Sequence, residues 1–390
     1  MWVGIVLYSA GALVFTFMPA YLGAIGTALG ASPTSLGTLA AAELWAIAFA
    51  SLMGPFWIGR LNWRVWARIG AIASLLGQCI SLSVSHFQVL LIVRLITGVL
   101  GEGVLMALSY SLLGQTAKID RSFGMAYAVA TVIGTTCLYF SPQIDRVVGK
   151  IGVLVVLAVM AVLALLISFL MPRSAQKPTA ENPESSSSVL ADTSLWRNVA
   201  VWVSVAQAVW YAGAGSFWSF AEQLAAHNAV PGEQIAKAMG IGTAAALIGT
   251  LLPIIAGSRL GRRGPTIAAT FVMAVAIFAF TRASGLAALT MELAVFNIFW
   301  ACGTIYLTAA ACSFDRSGKI AVLLPAFQTI GMAVGTFVLG HSIGGLGFYS
   351  APWVTNGFLV LGMVLAVLCI TLAVRALDPS NGGCTSAQEV

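Results

Sequence analysis

Apolar stretches of near-membrane length recur along this 390-residue chain, at roughly 3–28, 35–58, 66–85, 88–112, 122–142, 151–171, 197–226, 234–258, 266–282, 286–312, 319–342 and 352–376. A bilayer core of about 30 Å is crossed by an α-helix of about 20 residues. Lipid offers the backbone no hydrogen-bond partners, and these runs are too long and too continuous for alternating barrel strands of about ten residues. The expected fold class is therefore an all-α membrane protein with twelve transmembrane helices. Charged residues make up 8% of the sequence and hydrophobic ones 59%, which excludes a soluble globular domain, where about a quarter of residues are charged.

The chain also reads as one unit written twice. Asp120-Arg121-Ser122 follows the fourth stretch and Asp315-Arg316-Ser317 the tenth, 195 positions later, half of the chain length. Short basic glycine-bearing loops follow the second and eighth stretches: Gly54-Pro-Phe-Trp-Ile-Gly59-Arg60-Leu-Asn-Trp-Arg64 and Gly257-Ser-Arg259-Leu-Gly261-Arg262-Arg263-Gly264. Two pseudo-symmetric six-helix bundles are expected, at 1–172 and 196–377, joined by a solvated linker at 173–195 and followed by a tail at 378–390. The linker is rich in Pro, Ser and charge. Parallel repeats of this kind are a transporter architecture.

The net charge of +6 comes from where the basic residues fall. With the N-terminus in the cytoplasm, 14 of the 19 Lys and Arg residues lie on that side. By the positive-inside rule both termini, the linker and the tail are cytoplasmic, in the plasma membrane, the inner membrane of a bacterium. The surplus therefore needs no nucleic-acid partner. The first apolar run lacks a basic leader and carries Gly and Pro, so it is expected to be retained as a helix rather than cleaved. Nothing demands more than a monomer.

Gly257-Ser-Arg-Leu-Gly-Arg262-Arg-Gly264 resembles the loop signature of the major facilitator superfamily, and Arg94-Leu-Ile-Thr-Gly98-Val-Leu-Gly101 resembles its fourth-helix motif. The resemblance covers nearly the whole chain and implies secondary transport by alternating access, with Arg94 close to the proton-coupling machinery. Two features depart from the family pattern. Ile58 and Gly261 stand where the loop acid would be, and the fifth helix lacks the Gly-Pro of antiporters, having only Ser141-Pro142 near its end. The loop set Gly54, Arg60, Arg64, Gly257, Arg262, Arg263 and Gly264 forms the candidate cytoplasmic gate, with Asp120 and Asp315 as substitute acids that latch it.

Ionisable groups inside spanning helices are costly, roughly 2.5–3.5 kcal/mol on insertion scales, and mark function by default. Glu43, Arg94, Glu102, Glu222 and Glu292 are the candidate proton-coupling groups. At 100° per residue Arg94, Gly98 and Gly101 share a face, and Glu102 falls one position off it, sharing a polar interior with Arg94 without being its direct partner. Under the 195-residue offset Glu102 lies opposite Asn297. The alternative reading of Arg94 is a structural cation paired with one carboxylate. Glu43 is otherwise a permanently protonated carboxyl or one satisfied by a hydroxyl.

Along the seventh helix Gln207, Tyr211, Ala214, Gly215, Trp218 and Glu222 make a polar and aromatic stripe about 22 Å long. Such a stripe suits a cavity wall rather than lipid. Tyr127, Thr131, Gly134 and Thr135 give a weaker face on the fifth helix. Pro325, Gln328, Met332 and Gly335 share a side of the eleventh, and Asn297 completes the candidate substrate cavity. Gly331, Gly335 and Gly340 read as close-packing or bending positions.

The six cysteines form no CxxC pair, and His86, His227 and His341 lie on separate segments, so no metal site is expected. Gly23-Ala-Ile-Gly26 follows no strand, and no P-loop is present, so no nucleotide or other cofactor is implied beyond a proton gradient as energy source. The leading function is proton-coupled uptake of a small organic, possible aromatic, solute. The first alternative is drug/proton antiport of amphipathic compounds. A membrane-embedded enzyme or a channel fits least, because chemistry-bearing residues do not gather at one depth and the repeat is twofold.

Overall fold

The computed structural model describes residues 1–57, 62–116, 119–149, 152–172, 199–256, 261–314 and 319–376. Twelve long helices follow the apolar stretches. Helices α1 (Trp2–Leu29), α2 (Pro33–Trp57), α3 (Trp63–Ser83), α4 (Phe87–Leu113), α5 (Ile119–Tyr139) and α6 (Gly152–Ile167) make the first half. Helices α7 (Val199–His227), α8 (Gly232–Ala256), α9 (Arg263–Phe280), α10 (Leu286–Phe314), α11 (Lys319–Leu346) and α12 (Ala351–Ala376) make the second. An additional short helix, Ser141–Val148, sits between α5 and α6. None of its residues is fully buried, and no apolar run announces it.

Eleven of these helices are long and apolar enough to cross a membrane by composition. The exception is α7, which carries Gln207, Glu222, Gln223 and His227 yet buries 20 of its 29 residues. It is surrounded by α1, α10, α11 and α12. A helix that meets protein on most sides has no need of a lipid-compatible surface.

With an even number of spans, α1 starts and α12 ends on one membrane face, here the terminal side; the other is the far side. The two halves meet along α2 against α11, α5 against α8 and α1 against α7. Glycines make the approach possible. Gly37 of α2 crosses Gly340 of α11, where a Cβ on either would stand 2.7–2.8 Å from the other's Cα. Gly240 of α8 lies against the Tyr139 backbone of α5, and Gly344 against Thr34. Arg146 of the short helix reaches Glu233 of α8 at 3.8 Å. All of these lie toward the far side. Gly331 and Gly335 serve packing within the second half, against the Ala208 and Ala212 carbonyls of α7.

Candidate functional site

α4 is not a uniform helix. Its residues Thr97–Glu102 form a π turn between α-helical pieces Phe87–Ile96 and Gly103–Leu113. In an unbroken α-helix Glu102, eight residues past Arg94, would point about 80° away from it. A π turn absorbs one extra residue, so Glu102 takes the angular place of the seventh and comes within about 20° of Arg94. Gly101 then faces Ser74 of α3, and Gly98 faces Ala46 and the Glu43 carbonyl of α2, where a Cβ would meet atoms at 2.7–2.9 Å.

The result corrects the expectation that Glu102 is no direct partner of Arg94. Arg94 Nη2 donates to Glu102 Oε1 at 3.1 Å and to Glu43 Oε1, and Nη1 donates to Gln78 Oε1 at 2.8 Å. Gln78 Nε2 donates in turn to Glu102 Oε1 at 3.0 Å. Glu43 is thus ion-paired rather than satisfied by a hydroxyl. All four side chains are 0% exposed. The Arg94 guanidinium also lies 5.1 Å from the ring centre of Tyr21 on α1. Glu43 Oε2, Glu102 Oε2 and Arg94 Nε have no partner.

Charge decides what this cluster can do. One guanidinium, always cationic, faces two carboxyls. With both ionised the sealed site would hold a net negative charge, and an uncompensated buried charge costs several kcal/mol. One carboxylate balances Arg94, and the other is stoichiometrically surplus, which makes it a place for a proton. Gln78 was not among the residues singled out in the sequence, although a lone amide in mid-span is itself a polar group in lipid and a signal of this kind.

In the second half α7 and α10 interlock. Gln207 Nε2 donates to Thr308 Oγ1 at 3.0 Å, and the Tyr211 hydroxyl and Thr304 Oγ1 are 2.9 Å apart. Trp300 stands between the rings of Tyr211, at 5.9 Å, and Trp218, at 6.4 Å. Gln207 Oε1 has no partner among the described residues. From the first half Tyr8 and Tyr110 pack at 5.9 Å, and Tyr127 and Tyr211 lie within electrostatic reach of Tyr8. Tyr127 is 40% exposed, and this reach across the halves shows that it is exposed toward the interior rather than toward lipid. Tyr8, Tyr110, Trp300, Thr304 and Thr308 escaped the sequence reading because a single aromatic or threonine in an apolar run looks like filler until its partner on another helix is known.

The other sequence-selected residues scatter. Thr131 bonds the Tyr127 carbonyl, and Asn297 the Leu293 carbonyl, each within its own helix. Gln328 is half-buried on α11, and Met332 packs on Gly215. Asn297 does not reproduce the environment of Glu102. Glu292 lies in the second turn of α10, half-buried, and does not join the cluster around Arg94. Glu222 lies at the far side against Gly23 of α1.

Of the loop set, Arg64 Nε donates to the Met171 carbonyl at 2.9 Å, Arg262 to Ser313 Oγ, and Arg263 Nη2 to the Ile370 carbonyl at 3.4 Å. Each of these bonds stays within its own half. Gly54 is buried in α2, and Gly264 lies in the first turn of α9. Arg60, Gly257 and Asp315 lie outside the described residues, as does the side chain of Asp120, and with them the acid latch.

The arrangement of two helical halves around a polar seam agrees with solved transporters. The nucleoside transporter NupG matches 95% of this chain and 98% of its own at 14% identity, with a TM-score of 0.71. A mutant of NupG matches over the same shares at 14% identity, with a TM-score of 0.75. A D-xylose-proton symporter matches 98% of this chain and 99% of its own at 16% identity, with a TM-score of 0.69. No curated protein sequence matches. These likenesses concern the fold, and it is the family model, matching residues 2–336, that makes the chain a member of the Major Facilitator Superfamily, a transporter rather than an enzyme.

Proposed function

We propose that the protein carries out proton-coupled uptake of a small, uncharged, ring-bearing organic solute across the plasma membrane, with both termini in the cytoplasm. The observation that carries the coupling is the Glu43–Arg94–Glu102 cluster, sealed and holding one carboxyl more than its cation balances. Glu43 is the permanent counter-ion in this reading, and Glu102, shared between Arg94 and Gln78, is the carboxyl that loads and releases the proton. Adding a proton changes the cost of rearranging the helices around it, which links proton and solute thermodynamically.

The solute class is supported by what faces the passage between the halves. Tyr8, Tyr110, Tyr127, Tyr211, Trp300 and Thr304 offer rings and hydroxyls. Among the described residues the mid-span charges are locked into the sealed cluster, and the others stand near the helix ends, Glu222 and Glu292 toward the far side. A neutral ring compound with hydroxyl or amide groups suits such walls; a bare carboxylate or ammonium finds no free counter-ion there. The structural neighbours are transporters of nucleosides and of D-xylose, which are hydroxylated ring compounds. Contacts joining the halves toward the far side fit an inward-facing state.

Reconstituted protein in vesicles acidic outside is expected to accumulate a neutral nucleoside or pentose, and to release it when the gradient is reversed. Extrusion of lipophilic cations under the opposite gradient would favour the antiport reading. No movement of any solute by folded protein would end the transport reading.

A further inference from the structure

The far-side contact between α1 and α7 has a carboxyl wedged into it. Glu222 stands one turn beyond Trp218 on α7, and its side chain rests against Gly23 of α1 so closely that no Cβ fits there. Its carboxyl makes no hydrogen bond or ion pair among the described residues.

The surrounding charges leave it isolated. Asp145 of the short helix acts on it as a like charge, and that carboxylate is held by the Gly152 N–H at 2.8 Å. Arg146 of the short helix and Lys237 of α8 are both engaged by Glu233, at 3.8 and 2.9 Å. α1 contributes no charged side chain. Farther along α7, His227 stacks on Phe348, and His341 of α11 is bonded to the Phe337 carbonyl. Glu292 of α10 is another acid. Arg282, after α9, donates to the Phe278 carbonyl at 3.5 Å, and among the described residues no cation pairs with Glu222.

We propose that Glu222 is a proton-operated wedge in the far-side gate. With the carboxyl neutral, α1 and α7 close on it at Gly23 and leave it half-buried; ionised, it is an unpaired anion opposite Asp145, and the helices part to hydrate it fully. The proton comes from far-side water and returns there on reopening, so it is not the transported proton. This deepens the proton-coupled reading and rests on it, but not on the role of Glu102.

The test places spin labels at the exposed far ends of the two helices, Ala28→Cys and Ala226→Cys, with the native cysteines replaced, and follows the inter-label distance from about pH 5 to about pH 9, a range that brackets carboxyls displaced by their surroundings. The distance is expected to lengthen as pH rises, to stay short at every pH in Glu222→Gln, and to lengthen at lower pH in Asp145→Asn, where the repelling charge is gone. A distance in the unsubstituted protein that ignores pH, or a Glu222→Gln curve that overlays it, overturns the proposal. Should Glu222→Gln fail to fold, an unmoved midpoint in Asp145→Asn does the same. Gradient-driven uptake that persists beside a pH-insensitive gate removes the wedge alone. A pH-responsive gate in a protein that moves no solute removes the transport reading instead.

Discussion

The Trp218 indole N–H donates to the Phe15 carbonyl at 3.0 Å, joining α7 to α1 across the two halves. That carbonyl is free because Pro19, four residues on, has no N–H to give it. A proline in one half thus creates the acceptor that the other half uses at mid-membrane. Opening the far side must break this bond and hydrate both groups.

Trp218→Phe keeps the ring and removes the donor. A hydrogen bond of this kind is worth about 0.5–1.5 kcal/mol net, with more at stake if the carbonyl stays dry. The variant is expected to shift the equilibrium toward the far-side-open form by roughly 2- to 13-fold, read as increased labelling of cysteines placed along the far-side half of α7. Unchanged labelling would assign the bond no part in gating.

Gly340 of α11 is pressed on Gly37 of α2. Gly340→Val cannot keep both backbones in place, and overpacking of this sort costs about 1–3 kcal/mol. The halves are expected to be held apart at the far side, so that solute still binds from that side while net transport falls roughly 5-fold or more. Full transport by this variant would show that the crossing is not a closing contact.

Arg94→Met leaves two carboxyls buried without a cation. Breaking a buried pair costs about 3–5 kcal/mol when the remaining charge stays uncompensated. The variant's folded state is expected to bind more protons than its unfolded state, so its stability rises as pH falls. Thermal denaturation in detergent should show a midpoint well below that of the unsubstituted protein at neutral pH and a smaller gap in acid. A gap that does not change with pH would speak against two carboxyls meeting one guanidinium.

Trp300 lies between Tyr211 and Trp218, its ring set between theirs. Trp300→Ala is expected to weaken binding of the transported solute by roughly 5- to 150-fold, by analogy with losses of about 1–3 kcal/mol for a stacking ring. Isothermal titration checks it; undiminished affinity would move the solute site elsewhere.

The helix count was open to sequence reasoning because lipid imposes one length and one kind of hydrogen bonding on every span. The polar and aromatic stripe of α7 is legible in the sequence, and the same stripe lowers that helix's hydropathy. Arg94, Glu43 and Glu102 stood out as charges in lipid. Their pairing did not, because the π turn that swings Glu102 onto Arg94 has no residue signature in Thr97–Glu102 and arises from how Gly98 and Gly101 seat against α2 and α3. Trp300, Thr304, Tyr8 and Gln78 acquire meaning only through partners on other helices, which a one-dimensional pattern does not reveal.

If the surplus carboxyl of the sealed cluster carries the coupled proton, removing its charge uncouples solute from proton. Glu102→Gln keeps a hydrogen-bonding group beside Gln78 and leaves Arg94 balanced by Glu43 alone, so the protein should fold. The direct measurement is solute flux in proteoliposomes, with and without an imposed pH gradient. Gradient-driven accumulation is expected to be abolished while solute exchange without a gradient continues. Accumulation in Glu102→Gln with unchanged pH dependence would contradict that role of the carboxyl.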